Sequence, residues 1–216
     1  LSCGDLSRSS WTNVNLKDAS LPGANLNDAE LQGLSLQQVK AHGARWLEAR
    51  ILRCDFTDAM LRNCSFQHAR LLECNFLRTD LTAALFYHAS LQFCRFREVI
   101  GPEANLSAAR IQGGEFAKCD LSGARFGQTD LGGSSFFDCL LPECDFRGAE
   151  LKGCRFAGSR LSGSRFNEAK CFGADLRGAD LTQTRGLSAT MLLQARTDQT
   201  TVLPNGMRGP AMRRAL

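Results

Sequence analysis

The stretch Cys54–Glu98 reads, cut into fives, CDFTD AMLRN CSFQH ARLLE CNFLR TDLTA ALFYH ASLQF CRFRE. Each five opens with a small residue and carries a large apolar residue at its third place, where Phe and Leu alternate. A period of five matches neither the 3.6-residue turn of an α-helix nor the two-residue alternation of a β-strand. Self-similarity at a fixed period is the signature of a repeat architecture, so this stretch predicts a solenoid.

The same register continues without insertion or deletion from Leu1 to Leu181. It contains 37 third places, and Leu, Phe, Ile or Trp occupies 34 of them. Two of the exceptions, Ala41 and Gly101, lack a large side chain, and we expect one wall to be distorted locally there. Twelve of the 20 glycines fall at the fifth place, which predicts a corner with positive φ.

Composition places the chain among folded proteins. It has 216 residues, 44% of them hydrophobic, which is enough for one sizeable domain. The net charge of +4 is too weakly basic to indicate nucleic acid as a partner. No apolar run approaches the roughly 18 residues of a membrane-spanning helix, and no signal peptide is visible. Because the chain starts at Leu1, without Met and already in register, we expect it to be part of a longer protein.

Ten cysteines raise the question of disulfides or a metal site. Eight of them occupy the small-residue place that opens a five, where they interchange with Ala, Ser, Thr and Gly: Cys54, Cys64, Cys74, Cys94, Cys119, Cys139, Cys144 and Cys154. A free cysteine behaves as a small buried hydrophobe. The pattern therefore predicts reduced, inward-pointing thiols and a reducing compartment.

Several fives fit one consensus, A-(D/N)-L-x-x, closely. They are Ala24-Asn-Leu-Asn-Asp, Ala104-Asn-Leu-Ser-Ala, Ala174-Asp-Leu-Arg-Gly and Ala179-Asp-Leu-Thr-Gln. In these motifs the chain resembles the pentapeptide-repeat family over residues 1–185. The resemblance implies an all-β fold, a right-handed quadrilateral β-helix of about nine coils with one five on each side. The first and third residues of each five would then point inward and the other three outward.

Four fives make one coil of 20 residues, so residues 20 positions apart are predicted to lie on the same wall of the interior. One wall carries Phe56, Phe76, Phe96, Phe116, Phe136 and Phe156. The opposite wall carries Trp46, Phe66, Phe86, Phe126, Phe146 and Phe166. The two walls between them carry mostly Leu.

The repeat pattern ends near Arg185, which divides the chain into three segments. Residues 1–185 form the predicted solenoid, and residues 186–207 its C-terminal cap, because the open end of a solenoid has to be covered. Within the cap, Ser188 is predicted to be the N-cap of a short helix from Ala189 to Ala195. Residues 208–216 form a basic tail.

No catalytic constellation is apparent, so we predict that the chain is not an enzyme. It lacks the G-x-S-x-G, Walker, H-E-x-x-H and dinucleotide-binding motifs. No cofactor, no resident metal and no catalytic residue is predicted. One alternative is a divalent metal bound on the outward column of His68 and His88, which Asp28 and Glu48 share.

The function favoured by these features is a non-enzymatic scaffold or protein-interaction domain. The resemblance implies the C-terminal part of a larger bacterial protein, linked to secretion or to an effector, with a protein partner or a fused domain. The chain would act in a cytoplasm, or in a target cytosol after delivery. The alternative implied by the same resemblance is a DNA-mimicking gyrase-binding protein of the quinolone-resistance type. Residues 1–185, however, hold 22 basic and 21 acidic side chains in mixed columns, without an acidic stripe.

One corner of the predicted solenoid carries outward apolar residues. Leu52, Leu72 and Phe93 share one side in three successive coils, and Leu47, Leu85 and Tyr87 share the adjoining side. The charged and imidazole side chains Glu48, Arg50, His68, Arg70 and His88 lie between the two groups. Apolar patches rimmed by charge mark interaction sites, so these six residues are the candidate partner-binding site, for another domain or for a second copy in a homodimer.

Overall fold

Parallel pairing at a spacing of 20 residues builds the fold. The computed structural model describes residues 3–210, and in it one ladder of parallel bridges joins Asp5, Asn25, Arg45, Ser65, Leu85, Asn105, Arg125, Asp145, Arg165 and Arg185 in nine steps. Three further ladders run through the other fives of each coil with the same spacing. Four ladders make four walls, so the prediction of an all-β solenoid with one five per wall is confirmed.

Two of the walls contain regular β-strands of three residues each. The first sheet consists of β1 (Ser10–Thr12), β2 (Glu30–Gln32), β3 (Arg50–Leu52), β4 (Arg70–Leu72) and β6 (Ser90–Gln92). The second consists of β5 (Asn75–Leu77), β7 (Arg95–Arg97), β8 (Glu115–Ala117) and β9 (Ser135–Phe137). Strands of three residues fit a side of five residues, because the other two residues of each side form the corner.

Each corner depends on a left-handed backbone residue. All 37 fifth places from Cys3 to Gln183 have φ between 49° and 73°, including 25 that are not glycine. The predicted positive φ is therefore confirmed, and it extends well beyond the glycines. None of these places holds Val, Ile or Thr, which agrees with the high steric cost of positive φ for β-branched side chains.

The core is a pair of facing aromatic stacks. Phe56, Phe76 and Phe96 are fully buried and lie parallel with ring centroids 4.9 Å apart, and the stack continues to Phe156. On the opposite wall the stack from Trp46 is interrupted by Leu106 and resumes at Phe126. The two walls meet edge to face, as in the Trp46–Phe56 pair with centroids 6.1 Å apart. The predicted sorting of rings onto two opposite walls is confirmed.

Buried Ser and Thr hydroxyls at the first place of a five all donate a hydrogen bond to the same kind of backbone carbonyl. The buried Thr79 hydroxyl donates to the carbonyl of Phe56 at 2.8 Å, and that of Ser164 to Leu141 at 2.7 Å. Each acceptor lies 23 residues earlier, at the third place of the coil below. Cysteine thiols follow the same geometry, which explains why Cys, Ser and Thr interchange there without leaving an unpaired buried donor.

The expected distortion of the wall at Gly101 is not seen, so that prediction was wrong. The ladder passes from Asp80 through Ile100 to Asp120 with unchanged spacing. A β-carbon placed on Gly101 would come within 3.0 Å of Leu121 Cδ2, which shows that the neighbouring leucine fills the space. The Ala41 five also keeps its place in the ladder through Lys40.

The C-terminal segment closes the solenoid. Its helix α1 spans Ala189–Gln194, and Ser188 Oγ accepts a hydrogen bond from the Met191 amide at 3.2 Å, as the N-cap prediction required. The chain then returns to the solenoid, where Asp175 pairs with Arg196 and Asp180 with Val202. Arg208, the first residue of the predicted basic tail, pairs antiparallel with Val202. Residues 211–216 of that tail lie outside the described residues.

Within residues 3–210, no helix combines the length and apolar character that crossing a membrane requires.

Candidate partner-binding site

The candidate site follows the corner that leads into the first sheet. Residues at the fifth place, such as Glu48 and His68, have φ of 58° and direct the chain around this corner. Two residues later the chain enters β3 at Arg50 and β4 at Arg70, both with exposed side chains. A groove of about 640 Å³ runs along the corner between these positions. The predicted intermediate row of charged and imidazole groups therefore lines one continuous groove.

None of the six predicted apolar residues belongs to the lining of this groove; they lie on the two walls beside it and differ in exposure. Leu52 and Leu72 end β3 and β4 and pair in register, but both are half-buried. Leu47 and Leu85 on the adjoining wall are also half-buried. Tyr87, by contrast, is 41% exposed and Phe93 is 61% exposed. The apolar site thus consists of four half-buried leucines and two exposed aromatic rings.

Three aromatic side chains form a short row at the rim. The Tyr87 ring is tilted against His88 with centroids 4.1 Å apart, and His88 stacks on His68 with centroids 5.3 Å apart. Sequence reasoning put the two histidines in one column but did not detect the contact of Tyr87 with His88. The sequence does show that Tyr87 and His88 are consecutive, but it does not show towards which neighbour the tyrosine ring is turned.

Charge changes sign along the groove. Its N-terminal part is lined by Asp28, Glu30 and Glu48, and its C-terminal part by Arg70, with an adjoining groove of about 560 Å³ that extends to Arg110. Glu30 is paired with Arg50 at 3.1 Å. Within residues 3–210, Asp28, Glu48 and Arg70 take part in no ion pair. The groove consequently offers unpaired carboxylates at one end and an unpaired guanidinium towards the other.

The surface, including part of the groove, carries ladders of opposite charge. Among the ten ion pairs of residues 3–210, six join the same position on consecutive coils: Glu30–Arg50, Arg53–Glu73, Asp58–Arg78, Arg95–Glu115, Arg110–Asp130 and Glu150–Lys170. Such pairing neutralises charge along a column, so it does not produce the continuous acidic face that a DNA mimic would present.

The predicted alternative of a metal on the histidine column has limited support. His68 and His88 lie with their rings stacked at an interplanar angle of 22°, so the rings face each other. In the part of the chain that the structure describes, no group of three or more His, Cys, Asp and Glu side chains is arranged to hold a metal ion.

All ten cysteines are free, and nine of them are buried, whereas Cys3 is exposed. Burial raises the pKa of Cys54, Cys64 and Cys154 to about 12, and that of Cys171 to about 11. A thiol with so high a pKa stays protonated near neutral pH and is a poor nucleophile and a poor metal ligand. The buried thiols are therefore parts of the core.

Sequence reasoning did not single out a second row of outward apolar residues. Met60, Ile100 and Leu140 occupy one column at alternate coils and are 51%, 53% and 40% exposed. The acidic residues Asp80 and Asp120 separate them in that column. The spacing of 20 residues puts these residues in one column, but the aspartates between them make the column look polar in the sequence.

Comparisons with known proteins agree with this architecture. The family model described as pentapeptide repeats matches the chain in eight copies, over residues 5–38, 12–45, 48–76, 64–100, 103–137 and 138–183. The crystal structure of HetL, a pentapeptide repeat protein involved in heterocyst differentiation regulation from the cyanobacterium Nostoc sp. strain PCC 7120, is similar with a TM-score of 0.84 and 21% identity. That similarity covers 97% of this chain and 93% of HetL.

A second solved structure is a trypsin-treated form of QnrB1, a plasmid-mediated fluoroquinolone resistance protein. It has 17% identity and a TM-score of 0.42, with 91% of this chain and 92% of that chain covered. No curated protein sequence matches the chain.

Proposed function

The chain belongs to the pentapeptide-repeat family, and from this membership we propose that it is a non-enzymatic scaffold that binds a protein partner along the groove beside β3 and β4. The observation that carries the proposal is the exposure of two aromatic rings beside a charged groove: Tyr87 contacts His88, which lines the groove, and Phe93 follows β6 on the adjoining wall. Exposed aromatic rings beside charged groups are typical of interaction hot spots.

The geometry supports binding rather than chemistry. The groove is a shallow trough on a regular wall, and its polar groups are spread over coils about 4.8 Å apart, as neighbouring strands are. A catalytic site instead needs a nucleophile and a base within hydrogen-bond reach of each other. Regular spacing suits a partner that contacts several coils at once, and it gives a rigid surface that loses little entropy on binding.

The ion-pair ladders bear on the kind of partner. The alternation of charge favours a partner with mixed charge over the basic, DNA-binding groove of a gyrase. The ten free thiols, nine of them buried in the core, further support a role in a reducing compartment, where thiols persist.

The test is capture of a partner by the tagged protein from an extract of its source cells, with the captured proteins identified by mass spectrometry. Replacing both Leu72 and Phe93 with Ser is expected to abolish specific capture and to leave the melting temperature nearly unchanged, because neither side chain is fully buried. The control replaces Ile100 and Leu140 with Ser, two exposed apolar residues on a different column. Loss of capture in the control variant together with retention in the groove variant would place the partner on that other column and contradict the proposal.

A further inference from the structure

One wall of the solenoid carries a column of exposed apolar side chains that lies apart from the groove. Met60, Ile100 and Leu140 occupy the second place of their fives on alternate coils, and each is at least 40% exposed. The parallel ladder joins them through Asp80 and Asp120, so neighbouring members are two coils, or about 9.6 Å, apart. Within residues 3–210, no other column of the solenoid holds three large apolar residues this exposed.

The same wall alternates between apolar and polar fives. Pro102 shares the five of Ile100, and Pro142 shares the five of Leu140, which makes two apolar ridges. The five between the ridges is polar, and its half-buried Asp120 lies in a furrow one coil from each ridge.

The charge of this section is mainly acidic. At the coils of Ile100 to Leu140, the wall and its two corners carry one basic side chain, Lys118, and five acidic ones: Glu98, Glu103, Asp120, Asp138 and Glu143. Of these six, only Glu98 takes part in an ion pair within residues 3–210, with Arg97 on the neighbouring wall. Arg160 ends the acidic section on the next coil. The excess of carboxylates is local, because the whole chain has a net charge of +4.

Aspartates at the second place of other fives show what such a carboxylate binds. At Asp80, Oδ1 accepts hydrogen bonds from the amide and the hydroxyl of Thr82, and Oδ2 pairs with Arg62 Nε at 2.7 Å. At Asp55, Oδ2 accepts a hydrogen bond from Gln37 Nε2 at 2.7 Å. Both donors lie 18 residues earlier, at the fourth place of a five on the preceding coil. The Oδ2 atom therefore takes a donor that approaches along the wall.

Asp120 has the same surroundings but lacks that donor. Its Oδ1 accepts hydrogen bonds from the Ser122 amide at 3.1 Å and from the Ser122 hydroxyl at 2.6 Å. The residue 18 positions earlier is Pro102, whose side chain has no hydrogen-bond donor. Within residues 3–210, Oδ2 of Asp120 takes part in no hydrogen bond or ion pair, so a cationic side chain from a partner would complete the pattern seen at Asp80.

From these observations we infer that this wall binds a basic amphipathic α-helix of a protein partner. Apolar residues of the helix contact the ridges at Ile100 and Leu140, and a lysine or arginine between them binds Asp120. The surrounding carboxylates favour a basic helix and repel an acidic one. The wall is separate from the groove of the proposed function, so the two surfaces hold different partners.

The spacing of the coils selects a helix. Residues seven apart in an α-helix are separated by a rise of about 10.5 Å, and a tilted helix matches this to the 9.6 Å or so between the ridges. A residue three positions further on rises by about 4.5 Å, close to the 4.8 Å or so from ridge to furrow. An extended strand repeats its side-chain direction at about 6.7 Å and loses register after one coil.

Fluorescence anisotropy with a designed peptide tests the inference. The probe is a labelled helical peptide of about 20 residues, built on alanine and glutamine, with leucine at i, i+7 and i+14 and arginine at i+3 and i+10. It should bind with a dissociation constant on the order of 10⁻⁵–10⁻⁴ M, because the contact is smaller than a standard interface. A peptide of the same composition, with the leucines scattered around the helix, should bind at least about tenfold more weakly.

Substitution of the ridges should weaken binding of the probe. Ile100→Ser with Leu140→Ser is expected to raise the dissociation constant at least about tenfold, because both apolar contacts are lost. Serine already stands at the second place in Ser90 and Ser135, so the coil accommodates it. The control is Phe172→Ser, which removes an exposed ring from a different wall and should leave binding unchanged.

Neutralising the furrow tests the charge. Asp120→Asn should raise the dissociation constant about threefold and reduce its dependence on salt, because the charge is removed and the hydrogen-bond acceptor stays. Asparagine is compatible with this place in the coil, since Asn105 Oδ1 accepts a hydrogen bond from the Ser107 amide at 3.1 Å.

Three outcomes would overturn the inference: no binding of the probe up to about 1 mM, equal binding of the two peptides, or undiminished binding by the variant with serine at both ridges. In a cell extract, a protein held by this wall should be lost with the Ile100 and Leu140 changes and kept with the Leu72 and Phe93 changes. The groove partner should show the reverse, so failure of the inference and failure of the proposed function are distinguishable.

Discussion

Phe93 lies against Gly113 on the next coil. A β-carbon placed on Gly113 would come 3.2 Å from Phe93 Cδ1 and 3.3 Å from its Cε1. Both residues occupy the fifth place, with φ of 53° and 61° respectively. The glycine thus provides the space into which the exposed Phe93 ring leans.

This contact predicts that Gly113→Ala destabilises the solenoid more than Gly133→Ala. Both substitutions put alanine at positive φ, which costs on the order of 1–2 kcal/mol. Only at Gly113 must the Phe93 ring also move, because nothing lies within 4 Å of a β-carbon on Gly133. Chemical denaturation of both variants measures the difference in the free energy of unfolding. Equal losses would contradict the contact, and adding Phe93→Ala to Gly113→Ala should remove the excess.

The aromatic stacks predict that Phe76→Ala is severe and Cys74→Ala mild. Phe76 stacks between Phe56 and Phe96 at 4.9 Å on either side, and truncating a buried Phe costs about 3–5 kcal/mol. Cys74 fills a place that Ala occupies in other coils, and its thiol makes a weak 3.4 Å contact with the Ile51 carbonyl. Its loss should cost less than about 1 kcal/mol. Thermal melts followed by circular dichroism compare the two, and similar losses would show an unrecognised role for the thiol.

Burial of the thiols predicts their reactivity. In the native protein only the exposed Cys3 should react rapidly with a thiol reagent, because the other nine cysteines are buried and shielded from the reagent. After denaturation without reductant all ten should react. Counting modified thiols by mass spectrometry under both conditions checks this. Fewer than ten in the denatured protein would reveal a disulfide.

The raised thiol pKa values predict instability at alkaline pH. The pKa of Cys64 rises from 9.0 to about 12 on burial, so above pH 9 the unfolded chain binds fewer protons than the folded one. The stabilisation is fully present below pH 9 and decreases as the pH rises, by about 1.4 kcal/mol per pH unit for each such thiol. Urea denaturation across this pH range measures the slope.

The control for the alkaline effect is Cys64→Ala, which removes one of these thiols from a place where Ala is tolerated. Its stability should decrease less steeply above pH 9 than that of the unchanged protein. An identical slope in the two proteins would show that deprotonation of Cys64 is not coupled to unfolding.

The histidine column shows where reasoning from the sequence stopped. Spacing by twenties placed His68 and His88 next to each other, and the structure confirms that they are neighbours. Spacing could not show that their rings stack face to face, or that Tyr87 leans on His88. These outcomes depend on side-chain torsions, which the period of five does not specify.

The sequence by itself determined the backbone of this protein. An unbroken period of five fixes the coil, because each residue must repeat the environment of the one 20 positions before it, and the walls and the buried rings follow. Beyond the repeat, Ser188 predicted the start of the capped helix. Only the tertiary structure decided how outward side chains use the space on the next coil. Phe93 leans over Gly113, and Glu48 and Arg70 remain unpaired while Glu30 and Arg50 join, because those choices depend on the sizes and charges of particular neighbours rather than on the repeat.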